Sequence, residues 1–206
     1  MERALVVLSH GSRHPRAAEG IDQLARAAGE ELGVPVRAAH LEFNEPDLLS
    51  ALSSLDRPAV VVPTLFSNAY HARNDVPATV AEARKQGFDV KLADTLGSGA
   101  DVADVVASTI PDGYSPVALY AVGSSNSDAN AATVLLGQMV QRRIGRPVRT
   151  VFATRSGAVT DEEYVAPLFV TEGTLLDKLN RPTGRPLGTA LAPLVAVRYR
   201  SCVGNG

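Results

Sequence analysis

Three nearly uninterrupted apolar runs constrain this chain more than any other feature. Residues 4–8, 59–66 and 117–122 are β-rich and apolar at almost every position. A strand with one wet face alternates apolar and polar residues. A continuous run is buried on both faces, as in a parallel sheet covered by helices on either side. Segments of helical period separate the runs. In 15–32, Ile21, Leu24, Ala25, Ala28 and Leu32 recur at intervals of three and four, and Gly33 and Pro35 close the segment. The same reasoning predicts helices over 46–55, 75–86, 100–109 and 128–144, and strands over 36–43, 88–93, 148–153 and 165–170. This order predicts an α/β fold, in which ligands bind beyond the carboxyl ends of the strands.

The second half repeats the first. Gly11 follows the first apolar run and Pro63 lies in the second. Gly123 and Pro167 stand in corresponding places, over a shorter interval. The chain therefore reads as two similar lobes, 1–112 and 113–206, each a parallel sheet flanked by helices. The second lobe is shortened near 154–164, where a full helix has little room. Residues 180–188, rich in Pro and Gly, read as a loop, and 201–206 as a frayed end.

Composition narrows the partners. The chain has 206 residues, 20 Lys+Arg against 22 Asp+Glu, and a formal charge of −2. Nucleic acid and anionic membranes need clustered basic residues, and no basic run is present, so neither is expected. A single cysteine, Cys202, excludes a disulfide framework and a cysteine-rich metal site. No leader-like stretch precedes the first run and no stretch is long enough for a membrane span, so a cytoplasmic location is expected.

The four histidines, His10, His14, His40 and His71, all lie in the first half. His10 falls at the end of the first strand and His71 just after the third. Glu42 falls near the end of the strand between them in sequence. Parallel neighbours would bring the three groups to one rim. Two imidazoles and a carboxylate suit a divalent metal that must still react. His14 is separated from His10 by Gly11 and followed by Pro15, so a shared helical face is not expected. His40, deeper in its strand, reads as a satisfied core histidine. The loop of Gly11, Ser12 and Arg13 enters a helix. Its backbone N–H groups and Arg13 suit an anion, with Ser12 as a candidate helix cap. Ser124 has the same character in the second lobe. Ser67, Asn68 and Tyr70 offer small polar groups and an aromatic wall. No phosphate loop, dinucleotide fingerprint or serine-hydrolase elbow is present.

Three blocks in order resemble the sirohydrochlorin chelatases of the CbiX/SirB type. They are Leu8-Ser9-His10-Gly11-Ser12-Arg13, Leu41-Glu42-Phe43-Asn44-Glu45-Pro46, and residues 62–77 around Tyr70-His71. The second half is similar to the long, two-lobed form of that family. The resemblance implies a tetrapyrrole in a cleft between lobes and ATP-independent insertion of Co2+ or Fe2+, with Ni2+ also considered, into sirohydrochlorin for cobalamin or siroheme. No cofactor is implied beyond the metal substrate, and a homodimer is compatible with it. It further implies that His10, His71 and Glu42 handle metal and protons. Ser12, Arg13, Ser67, Asn68, Tyr70 and Ser124 are the candidate substrate contacts, with Arg73 as a further cation. The chain departs from the family pattern in having Ala69 before the Tyr-His pair, and Val122 where the second lobe would carry a counterpart of His10. Two other readings of the residues stand beside this one. They are a non-catalytic metal or tetrapyrrole carrier on the same scaffold and a small-anion binding domain using the two Gly-Ser loops.

Overall fold

The computed structural model describes residues 2–66, 74–155 and 157–204. The chain forms two compact units, Met1–Gly97 with Thr189–Gly206, and Ser98–Gly188.

The first unit holds β1 (Ala4–Ser9), α1 (Ala17–Leu32), β2 (Val36–His40), α2 (Leu48–Ser53), β3 (Ala59–Pro63), α3 (Val76–Lys85) and β4 (Val90–Leu92). Its strands are all parallel, in the order β2-β1-β3-β4. The continuous apolar runs are explained by two covered faces. Ala4, Val6, Leu8 and Val61 pack with Leu48, Leu52, Val76 and Val80 of α2 and α3. The alternate residues Leu5, Val7 and Val60 point the other way and are equally buried. On that side lie α1 and, last in the chain, α7 (Ala192–Gly204). Each such buried Leu or Val contributes roughly 1.5–3 kcal/mol relative to exposure.

The second unit holds α4 (Ala100–Thr109), β5 (Val117–Ala121), α5 (Ser127–Ile144), β6 (Val148–Phe152), β7 (Tyr164–Pro167) and the one-turn α6 (Thr174–Asp177). Its three strands are parallel in the order β6-β5-β7, matching β2-β1-β3. No helix connects β6 to β7 among the described residues, as the shortened interval predicts. Glu163 holds that connection instead. Its buried carboxylate takes two bonds from Arg149, at 3.0 and 2.7 Å, and further bonds from the backbone N–H and hydroxyl of Thr160. No helix is long and apolar enough to cross a membrane among the described residues.

Several elements differ from the sequence expectation. The strand expected over 36–43 ends at His40 and that over 59–66 ends at Pro63, with only a few backbone hydrogen bonds carrying the pairing past those residues. Residues 201–204, expected to fray, complete α7. The division into 1–112 and 113–206 differs from the compact units at two places. α4 packs on α5 in the second unit, and α7 returns to the first. Arg198 fixes that return by donating to the carbonyls of Thr95 and Leu96 at 2.9 and 2.7 Å, and Tyr199 donates to the Arg3 carbonyl at 2.6 Å.

Candidate functional site

Parallel pairing brings the carboxyl ends of β1, β2 and β3 to one edge of the first sheet, with Ser9 opposite His40 and Leu8 opposite Pro63. The ladder continues beyond the strands. Leu41 N–H donates to the Ser9 carbonyl and Glu42 N–H to the His10 carbonyl, both at 3.0 Å. Thr64 N–H donates to the Leu8 carbonyl at 2.8 Å. His10 and Glu42 therefore leave adjacent strands side by side, His10 half-buried and Glu42 exposed. Phe66, after β3, is the last residue described before 67–73. The expectations for Ser67, Asn68, Tyr70, His71 and Arg73 lie outside the described residues. Among the described residues, no three His, Cys, Asp or Glu side chains gather to hold a metal.

Gly11 decides how tightly this edge closes. Its φ of +91° is a left-handed conformation, and a Cβ there would overlap the Glu42 carbonyl oxygen. That carbonyl accepts the Asn44 N–H at 2.8 Å across Phe43, whose φ is +65°, which makes a three-residue turn. Asn44 Oδ1 in turn accepts the Ser12 N–H at 2.8 Å. The loops after β1 and β2 are thus braced on each other.

His40 is buried, as expected of a core histidine. Its Nδ1 lies 2.7 Å from Ser9 Oγ, and Ser9 Oγ accepts the Gly11 N–H at 3.2 Å. Burial pushes its pKa below the ordinary imidazole value, against the opposing charges of Asp22 and Glu45. A neutral His40 behind Ser9 therefore supports the turn that carries His10. The His10 Nδ1 lies 3.4 Å from the Gly11 carbonyl. A proton on Nδ1 in that arrangement leaves Nε2 as the lone-pair nitrogen.

Ser12 does not cap α1, contrary to the expectation. The residue before the helix is Arg16, with no side-chain cap. Ser12 Oγ accepts the His14 N–H at 3.1 Å, and buried His14 accepts the Arg16 N–H on Nδ1 at 3.2 Å. The backbone N–H groups of Gly11, Ser12, His14 and Arg16 all donate within the chain. Ser124 is engaged in the same way. Its N–H donates to Asn130 Oδ1 at 2.9 Å, and its carbonyl accepts from Asn130 and Arg155. Those N–H groups are thus engaged within the chain, and Arg13 on the same loop is exposed.

One residue of this edge is absent from the sequence-derived candidates. Phe43 is 52% exposed. The Arg13 guanidinium lies over its ring, 4.8 Å from the centroid, and the His10 ring is 6.2 Å away at a tilt of 39°. In sequence, Phe43 continues the apolar alternation of Ala39 and Leu41, so nothing local distinguishes it from a strand residue.

The second unit shows the same edge without its chemistry. Thr154 N–H donates to the Val122 carbonyl at 3.1 Å, as Glu42 does to His10, and Leu168 N–H donates to the Tyr120 carbonyl at 2.8 Å, as Thr64 does to Leu8. Val122 and Thr154 thus occupy the places of His10 and Glu42.

The family model for CbiX matches residues 4–112, a span that includes His10, Glu42 and the whole edge between them. The chain belongs to the CbiX family. Among its relatives, a sirohydrochlorin ferrochelatase of Bacillus subtilis is 23% identical over 88% of this chain and 79% of its own length. A sirohydrochlorin cobaltochelatase of Saccharolobus solfataricus is 28% identical over 53% of this chain and 94% of its own length. The sirohydrochlorin chelatase SirB from Bacillus subtilis subspecies spizizenii, solved in complex with cobalt, superposes with a TM-score of 0.82 at 19% identity, covering 100% of this chain and 97% of that one. At that identity the likeness establishes the shared fold, which extends over both units of this CbiX member.

Proposed function

We propose that this protein inserts a divalent metal, Co2+ or Fe2+, into sirohydrochlorin without ATP. The observation that carries the reading is the CbiX match over residues 4–112, the stretch whose strand ends bring His10 and Glu42 together. Two curated relatives with the corresponding ferro- and cobaltochelatase names support it.

Insertion removes two pyrrole N–H protons and delivers one dication. Neutral imidazole can accept a proton or donate a lone pair to a metal near neutral pH. His10 and His71 take these two tasks in this reading, and Glu42 orients an imidazole or accepts a proton. The carboxylates around the macrocycle need local positive charge, which the chain's net −2 does not supply. Arg13 provides it at this edge, with Ser12, Ser67, Asn68 and Tyr70 as further contacts. The metal is a substrate, and no other cofactor enters the reading.

The test is multiple turnover. Purified protein, sirohydrochlorin and excess Co2+ or Fe2+ should give metallated product over many cycles, followed by absorbance. His10→Ala should reduce the rate by about 100-fold or more, the scale of a lost acid–base group. A carrier would bind once and stop. A parent rate equal to the spontaneous one overturns the proposal.

A further inference from the structure

We infer that Phe43 is a substrate-contact residue whose ring is the apolar surface on which a flat conjugated macrocycle lies, with Arg13 behind it to take a peripheral carboxylate. The inference rests on the chelatase reading above and deepens it.

The first support is a cost with no return inside the protein. Phe43 holds a φ of +65°, a region that bulky L-residues avoid and that persists where the surroundings impose it. The ring gains little burial in exchange, since 52% of the residue is exposed. The chain's other four phenylalanines are all half-buried or packed against a core cluster.

The second support is that the conformation is enforced. The Asn44 N–H to Glu42 carbonyl bond closes the turn across Phe43, and Asn44 Oδ1 ties it to the Ser12 N–H. Gly11 leaves room for the Glu42 carbonyl that makes this possible. Sequence elements on both loops thus converge on presenting one aromatic side chain outward.

The third support is what surrounds the ring. A guanidinium at 4.8 Å leaves its N–H donors available to a carboxylate while it rests on the ring. An imidazole sits 6.2 Å away. A planar π-system edged with carboxylates matches this combination of aromatic face and fork-shaped cation. A metal ion alone uses neither.

The experiment measures sirohydrochlorin binding without metal, by macrocycle fluorescence, for the parent and for Phe43→Gly, Phe43→Leu and Phe43→Trp. Stacking on an aromatic residue is worth roughly one order of magnitude in affinity. Phe43→Gly and Phe43→Leu should therefore bind about tenfold more weakly and raise KM for the tetrapyrrole, with KM for the metal unchanged. Phe43→Trp should retain parent affinity. Phe43→Gly should melt no lower than the parent, because glycine accepts the positive φ. Parent-like binding by Phe43→Gly, or equal weakening in Phe43→Trp, overturns the inference, as does a lower melting temperature for Phe43→Gly, which marks a packing role. A parent that binds the tetrapyrrole but shows no turnover defeats the chelatase reading and leaves the binding comparison decisive here.

Discussion

His14 shows how a residue with several chemical uses is committed by its surroundings. Its Nδ1 accepts the Arg16 N–H and its carbonyl accepts the Ala17 N–H, so it closes the entry to α1 as a polar cap would. The corresponding loop of the second unit makes the comparison explicit. Asn126 N–H donates to Ser124 Oγ as His14 N–H donates to Ser12 Oγ, both at 3.1 Å. Asn126 Oδ1 then caps α5. An asparagine should therefore substitute for His14. His14→Asn is expected to keep stability within about 0.5 kcal/mol, whereas His14→Ala should lose about 1 kcal/mol, the usual value of a helix cap. Urea unfolding of the two variants checks this. Equal losses would show that the ring's packing matters more than its acceptor. His10 and Glu42, by contrast, are brought to adjacent positions by backbone pairing. That is why strand-end positions in the sequence were sufficient to bring them together, while the outward turn of Phe43 was not legible: its sign of φ depends on the Gly11 and Asn44 contacts across two loops.

At the level of elements, the connection between β6 and β7 replaces a helix with a charged network. Arg149 beside Glu163, together with the Thr160 hydrogen bonds, holds the Glu163 carboxyl below its ordinary range. A carboxylate whose folded pKa is depressed contributes stability above its unfolded pKa and loses it as pH falls toward the folded value. Stability should therefore decline on acidification from about pH 4.5 downward. Glu163→Gln should cost about 1.5–3 kcal/mol at pH 7, the scale of hydrogen bonds to a charged group. It should also flatten that part of the pH profile. Denaturant titrations at pH 7 and at pH 4 and below test both statements, and an unchanged acid slope in the variant would remove Glu163 as its source. The sequence did show that a helix was missing here. It did not show what replaced it, because Arg149 in β6 and Glu163 just before β7 meet only through the pairing of β6 and β7 with β5.

For the whole molecule, the chain's last helix completes the unit that begins it. Val195 and Ala196 of α7 are fully buried, and α7 packs on α1 and β3. Val195→Asp should therefore destabilise the unit bearing His10 and Glu42 by more than about 3 kcal/mol, since it buries an unpaired charge. Loss of soluble protein, or a drop in melting temperature greater than about 6 °C, is the expected result. A variant as stable as the parent would mean that α7 is dispensable to that unit.

The sequence by itself determined the parallel sheets, the twofold repeat, the short second lobe and the strand ends at which His10 and Glu42 emerge. Each of these follows from periodicity and chain order, which are local properties. Only the tertiary structure decided that α4 packs with the second unit, that α7 returns to the first, that His14 and His40 serve the backbone, and that Phe43 faces outward. An amphipathic helix or a polar side chain specifies that it needs a partner surface; which surface it receives is settled by contacts between residues far apart along the chain.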